Sequence, residues 1–461
     1  MAEYEGGNMA ESGPGPEHFR SANNEAETFD LVMATGHEVV VLAALDWLKV
    51  KYQNLDRSPD LGLTKVELVP TDNWPAIPGR AGASEAGGDF VGGVIAAVKE
   101  YVSRGNPTAW VPTMGRNRSI AHVTDTDGRP IITSKPTGAG TSAGSVEPAR
   151  GDRDVLPPGP WKLPPHGSLQ GQPGYGIRIG VVDTAVRPHF WLQGAPLSPV
   201  PFPLEGPGPH TFRASHCDAV VGVILANAPG AIVDVRGIFS DYGLSTTWEL
   251  AKSIAALANT GVDIINLSCA LYTSDAEPPL AIAKAIDLLG SDVLVVAAAG
   301  NYANAKPVII DSYNGTVTYD MSVVPAWPAA IDQVVAVGSV GVKDASWVIS
   351  DFSPSGDWVD AVAPGEHVLS LAIGGVTDSP DPSQGTRLAP DEGGFAWWWG
   401  TSLSTAAVTA MIANEMQDGE TARVAWNRLI AGKFRIKGSG IGPGPLLLAP
   451  PPSTATRQGS R

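Results

Sequence analysis

The stretch IRIGVVD, residues 177–183, is an apolar run that stops on an acid. Four more runs of the same kind follow: AIVDVRGIF (231–239), VDIINLS (262–268), VLVVAAAG (293–300) and VVAVGSV (334–340). A strand with water on one face alternates apolar and polar residues. A continuous apolar run fits a strand buried on both faces, as in a parallel sheet covered on either side. The segments between the runs supply the cover: HCDAVVGVILAN (216–227), TTWELAKSIAALANTG (246–261) and PLAIAKAIDLLG (279–290) read as helices. Strands alternating with helices predict an α/β domain with a central parallel sheet flanked by helices, spanning 167–442.

Upstream the pattern differs. FDLVMA (29–34) reads as a strand, and HEVVVLAALDWLKVKY (37–52) carries Val41, Leu45, Leu48 and Tyr52 at helical spacing. TKVELV (64–69) alternates like a strand, DFVGGVIAAVKEYVSRG (89–105) reads as a helix ended by Gly105, and AWVPTM (109–114) as a short strand. This predicts a small N-terminal α+β domain over 28–133, with two helices against a sheet. Residues 1–27 are polar, Gly-rich and acidic, and are expected to be disordered. Over 134–166 periodicity vanishes and Gly, Pro, Ser and charge dominate, so this reads as a linker or exposed loop. Residues 443–461 read as a flexible tail.

With 461 residues, 43% of them hydrophobic, the chain can bury a large core. Its 47 acidic and 31 basic residues leave a net charge of -16, which argues against nonspecific binding to nucleic acid or anionic membranes. No apolar stretch reaches the length of a spanning helix, and MAEYEGGNMAESGPGPEHF lacks the basic start and apolar run of a secretory signal. The expectation is a cytoplasmic protein with no nucleic-acid or membrane partner. Cys217 and Cys269 are expected to be free thiols.

Parallel sheets bind their ligands at the carboxyl ends of the strands. Asp183 ends the first run, Asn301 follows the fourth, and His216 opens a helix. Ser402 sits in GFAWWWGTSLSTAAV (394–408), between three tryptophans and a helical segment. A serine, a base to take its proton and a carboxylate to orient that base are what nucleophilic catalysis needs. On a strand Trp398 faces one way and Trp397 and Trp399 the other. Core packing explains them, or one ring lines the cleft.

IGVVDTAV, SHCDAVVGVI and GTSLSTAAVTA occur in that order, with IINLS, VVAAAGN and SDFSPSGDWVDAVAPGEHVLS between the last two. From about Gln172 to Gly440 the chain thereby resembles the subtilisin-like serine proteases, or subtilases. The resemblance implies a subtilisin-like fold and an endopeptidase that hydrolyses peptide bonds through an acyl-enzyme. It makes Ser402 the nucleophile, His216 the base, Asp183 its orienting carboxylate and Asn301 the oxyanion donor. It also implies that substrate backbone pairs along Asp241, Tyr242 and Gly243 and along Ser268, Cys269 and Ala270. Ala298, Ala299, Gly300 and Tyr302 would border the pocket for the residue before the cut. Small residues there lead us to expect room for a large side chain. The implied partner is a protein or peptide substrate, cut in limited proteolysis or maturation inside the cell. No cofactor is implied. Calcium sites occur across the family, but no D-x-D-x-D-G loop is present here.

The order of strands and helices in the N-terminal domain is similar to the propeptides that chaperone and block subtilases; an unrelated accessory domain is the other reading. If it is a propeptide, the segment after Thr113 passes near the cleft. Three departures from the family stand out. His216 is followed by Cys217-Asp218-Ala219 where Gly-Thr-His is usual, Leu403 replaces a Met, and Ser404-Thr405-Ala406 replaces Ala-Thr-Pro. Asp218 is placed to raise the pKa of the base, and Cys217 reads as a buried small side chain. The departures leave open a pseudoprotease that binds peptides without cutting them. Two decoys fail on context. Gly140-Thr141-Ser142-Ala143-Gly144 fits an esterase elbow but has no strand before it or helix after it. Gly174, Gly176 and Gly180 precede and enter a strand, whereas a dinucleotide loop follows one.

Overall fold

The computed structural model of the chain describes residues 27–70, 90–104, 110–121, 146–148, 169–199, 210–241, 243–273, 276–303, 308–312, 315–320, 322–343, 346–374, 376–377 and 394–431. The expected disordered start, the C-terminal tail and the 140–144 decoy lie outside the described residues, apart from Glu27.

The N-terminal part runs β1 (Glu27–Ala34), α1 (Glu38–Trp47), β2 (Lys51–Ser58), β3 (Leu63–Val69), α2 (Phe90–Arg104) and β4 (Met114–Ala121). Its strands lie side by side as β4-β1-β3-β2, all antiparallel. Leu31, Met33, Val66 and Leu68 meet Val41 and Leu45 of α1 and Val94 and Val98 of α2 in one core. This is the expected small α+β unit, with two corrections. The helix read as far as Tyr52 stops at Trp47, because Lys49 turns the chain at φ 58 and Tyr52 pairs with Leu68 in β2. The strand read over 109–114 begins only at Met114 and continues to Ala121, where pairing with β1 satisfies its backbone.

A short strand, β5 (Val146–Pro148), interrupts the stretch read as a linker. Then come β6 (Arg178–Thr184), β7 (Leu197–Ser198), β8 (His210–Thr211), α3 (His216–Asn227), β9 (Ile232–Phe239), β10 (Leu244–Thr246) and α4 (Thr247–Ala258). They are followed by β11 (Ile264–Leu267), α5 (Leu280–Leu289), β12 (Leu294–Ala298), the hairpin β13 (Val308–Ser312) and β14 (Gly315–Tyr319), β15 (Val334–Lys343), β16 (Ser346–Ile349) and β17 (Ala361–Pro364). The last elements are β18 (Val368–Leu371), β19 (Val376–Thr377), β20 (Phe395–Trp398), α6 (Thr401–Glu415) and α7 (Ala422–Ile430).

All five apolar runs become strands of one sheet, ordered β16-β15-β12-β11-β6-β9-β7, with β17 also on β15. Every pairing in it is parallel except β16 on β15. Because successive side chains point to opposite faces, each run splits between two cores. Ile179, Val181, Ile264, Val296 and Val335 pack with Val220 and Ile224 of α3 and Leu403, Val408 and Ile412 of α6. Val182, Ile265, Val295 and Val334 pack with Leu250 and Ile254 of α4 and Ile282 and Ile286 of α5. Gly180 lies on that second face, where a Cβ would stand 2.7 Å from Leu257 Cδ1, so a side chain there would push α4 off the sheet.

The two parts share a sheet. β10 pairs antiparallel with β4, Thr246 opposite Ser119 and Leu244 opposite Ala121, as the fifth strand of the N-terminal sheet. The contact is polar and specific. Asn117 Oδ1 accepts from the Trp248 backbone N–H at 2.9 Å and from the Thr247 hydroxyl at 3.0 Å, and Thr247 Oγ1 accepts from the Arg118 N–H at 2.9 Å. A helix leaves its first N–H groups without partners. In α4 Thr246 Oγ1 takes the Glu249 N–H, and a residue of the other part takes that of Trp248. The Trp248 indole N–H donates to Asp56 Oδ2 at 2.7 Å. At the start of α5, a Cβ on Gly115 would lie 2.8 Å from Leu280 Cβ, so β4 approaches to a distance that only glycine allows.

Candidate active site

Asp183 lies two residues beyond Val181 on β6, and therefore on the face that α3 and α6 cover. His216 is the first residue of α3. The two side chains meet: His216 Nδ1 stands 2.8 Å from Asp183 Oδ1 and 2.9 Å from Oδ2. A carboxylate on Nδ1 favours the tautomer whose proton sits on that nitrogen. Asp183 Oδ1 also accepts the Thr184 N–H, which fixes the carboxylate.

Ser402 enters from the opposite direction in sequence. β20 lies between β18 and β5 in a small antiparallel sheet, not in the central one. Trp398 is wholly buried in the core shared with α3 and α6. Trp399 is buried against His367, ring centroids 4.4 Å apart, and Trp397 is partly exposed. Core packing thus accounts for Trp398. Gly400 then takes φ 143, which favours glycine, and its N–H donates to the Gly365 carbonyl at 2.8 Å. Gly365 is itself obligatory: a Cβ there would meet Ser339 Oγ and Ser404 Oγ at 2.4 Å. This turn puts Ser402 in the first turn of α6. Its Oγ donates to the Ser268 carbonyl at 3.1 Å, and the Ser268 hydroxyl donates to the Ser402 carbonyl at 3.1 Å. Ser268 follows β11, the neighbour of the strand that carries Asp183. Asp183, His216 and Ser402 are respectively 2%, 1% and 0% exposed.

Asn301 follows β12. Its Oδ1 accepts from the Thr401 N–H at 2.9 Å and the Thr401 hydroxyl at 3.0 Å. The carbonyl end of the amide is so held. Thr401 also receives the Gly300 N–H at 3.2 Å, which ties the end of β12 to the start of α6. Sequence reading passed over Thr401, although it adjoins the serine.

The remaining expected positions are placed as follows. Ser268, Cys269 and Ala270 form a buried segment after β11; Ala298 ends β12, and the buried Ala299 and Gly300 follow it. Asp241 and Gly243 lie in the turn before β10; Tyr242 is outside the described residues. Tyr302 is buried, its ring edge-on to that of Tyr272 with centroids 5.2 Å apart. Tyr272 adjoins the small residues from which a roomy pocket was expected. A Cβ on Gly300 would lie 2.5 Å from the Tyr272 Oη, so a phenol stands against the small-residue wall.

Cys217 and Cys269 are free and buried. Burial pushes the Cys217 thiol pKa well up, with Asp183 and Asp218 adding to it, so it stays a protonated small side chain. Asp218 accepts the Arg187 N–H at 2.9 Å, and burial raises its carboxyl pKa well above the ordinary range. Arg187 forms an ion pair with Asp241 and so links the loop after β6 to the expected substrate edge. Among the described residues no three His, Cys, Asp or Glu side chains form a group able to hold a metal ion. Among the same residues no helix is long and apolar enough to cross a membrane.

The family model of the subtilases matches residues 174–429. The chain belongs to the subtilase family. Mycosin-4 of Mycobacterium tuberculosis is 30% identical over 236 residues, covering 43% of this chain and 48% of the relative. A thermophilic serine proteinase of Bacillus sp. is 28% identical over 212 residues, covering 43% and 46%. This subtilase thus spans under half the length of these curated relatives. Fervidolysin from Fervidobacterium pennivorans, a keratinolytic enzyme related to subtilisin, superposes with a TM-score of 0.53 at 15% identity. That match covers 92% of this chain and 60% of fervidolysin, and at such identity it shows likeness of fold alone.

Proposed function

We propose that the chain is a serine endopeptidase in which Ser402, His216 and Asp183 form the catalytic triad and the N-terminal domain guards the cleft. The observation that carries this reading is the Asp183 carboxylate on His216 Nδ1 at 2.8 Å, in a subtilase whose GTS motif opens α6. The Ser402 hydroxyl turns from the Ser268 carbonyl towards His216. Its proton passes to Nε2 as Oγ bonds to the peptide carbonyl carbon. Asp183 stabilises the imidazolium through Nδ1–H, and the imidazolium then protonates the departing amine. Water, deprotonated by the same imidazole, releases the acyl group from Ser402. The Asn301 amide and the Ser402 N–H face the developing oxyanion, and the N-terminus of α6 favours its negative charge.

The N-terminal domain acts as a propeptide-like guard. β4 ends at Ala121 opposite Leu244, next to the edge expected to receive substrate, and the site itself is closed to solvent. A protease shut in this way suits limited cleavage of a specific protein partner better than general degradation. A fluorophosphonate probe tests the reading. It should label the chain slowly while the N-terminal part is in place, faster once that part is removed, and never in Ser402→Ala. Absence of labelling in the chain freed of its N-terminal part would reject the enzyme.

A further inference from the structure

We propose that Tyr272 determines which residue this protease accepts immediately before the cut, admitting small side chains and favouring those that carry a hydrogen-bonding group. The proposal deepens the reading of Ser402 as nucleophile and rests on it.

The segments 268–270 and 298–300 leave the carboxyl ends of neighbouring parallel strands, paired as far as Leu267 and Ala297. They stay side by side next to Ser402, whose Oγ is bonded to the Ser268 carbonyl. In the reading on which this proposal rests, the side chain preceding the scissile bond enters between these two walls. The Tyr272 hydroxyl is already there. A Cβ on Gly300 would sit 2.5 Å from its oxygen and 3.4 Å from its Cζ, with Ala270 Cβ next at 3.7 Å. The phenol therefore touches one wall within reach of the other.

The ring is not free to swing aside. Tyr302 stands edge-on to it at an interplanar angle of 80°. Thr401 ties down Gly300 through both its N–H and its carbonyl. Gly300 holds φ 97, so the wall keeps a conformation that larger residues rarely adopt. The Tyr272 hydroxyl is shut off from solvent and has no hydrogen-bond partner among the described residues. A polar group buried in this state gains whenever a ligand supplies its missing partner. Two consequences follow. The phenol takes up the space that a large apolar side chain would need. A serine, threonine or similar small polar side chain satisfies the hydroxyl, whereas alanine leaves it unpaired.

The test is a series of internally quenched peptides, identical except for Ala, Ser, Thr, Leu or Phe before the cut, read as kcat/KM on the intact chain, Tyr272→Phe and Tyr272→Ala. The unaltered protein should favour the three small residues over Leu and Phe by about tenfold or more. Tyr272→Phe, which keeps the ring packing, should retain small over large but lose the advantage of Ser and Thr over Ala. Tyr272→Ala should move the preference to Leu and Phe by about tenfold. A wild-type preference for Phe or Leu, or the same profile in all three proteins, overturns the proposal. Fluorophosphonate labelling separates the two readings: loss of labelling rejects Ser402 as nucleophile, while intact labelling with an unmoved profile rejects Tyr272 alone. Binding of the same peptides to Ser402→Ala, with and without the Tyr272 changes, must follow the same order. A flat order there overturns the proposal even if no peptide is cut.

Discussion

Replacing Asn117 by alanine should open the cleft. Asn117 is 2% exposed and lies on β4, yet its Oδ1 serves the other part of the chain by accepting the Trp248 N–H and the Thr247 hydroxyl. Alanine strands both donors at a buried helix start. An unsatisfied buried donor costs about 1–3 kcal/mol, and losing a cap costs about 0.5–2 kcal/mol. Thr247 keeps its bond from the Arg118 N–H, so the full sum is not reached. A loss of about 2–3 kcal/mol is expected, and because both bonds cross between the parts it falls on their docking. At about 1.4 kcal/mol per factor of ten, the open fraction rises roughly 30- to 100-fold. Labelling of Ser402 by a fluorophosphonate, followed over time on the intact chain, reads that fraction. The Trp248 amide should exchange with deuterium faster by a similar factor. If Asn117→Ala leaves both rates as they were, the N-terminal part does not guard the site through this contact, and the reasoning is wrong.

Asp183→Asn should lower kcat by about 10⁴ while leaving peptide binding near its starting value, since it disturbs only the imidazole on which it acts. Asn301→Ala should cost about 10²–10³ in kcat with little change in KM, measured on the same peptide. Asp218 titrates higher in the folded chain because burial disfavours its charge. Its contribution to stability is therefore fully present below the ordinary carboxylate range and lost as pH rises through the raised value. Asp218→Asn should flatten that decline, so Tm measured at several pH values should favour the variant progressively towards alkaline pH; parallel curves would reject the assignment. Gly365→Ala should destabilise the chain by several kcal/mol in chemical denaturation, because the new Cβ meets two hydroxyls at 2.4 Å and the Gly400 carbonyl at 2.7 Å.

Features written in short windows could be read directly from the residues. Five apolar runs with helices between them specify a sheet buried on both faces, because burial on two sides removes the alternation that water would impose. Asp183, His216, Asn301 and Ser402 stood out because each stands at an element boundary within a short motif. Local pattern was weaker where two structures suit one spacing. Val41, Leu45, Leu48 and Tyr52 fit a helix, but pairing of Tyr52 with Leu68 drew the last of them into a strand. Long-range pairing set the burial of Asp183, His216 and Ser402 and brought Tyr272 up to Gly300. Asn117 and Trp248 are 131 residues apart, and β5 finds its partner, β20, far along the chain. The Tyr272 hydroxyl reaches Gly300 only because β11 and β12 lie side by side. Contacts of this range leave no period in the sequence, since they depend on which surfaces meet once each element has already formed.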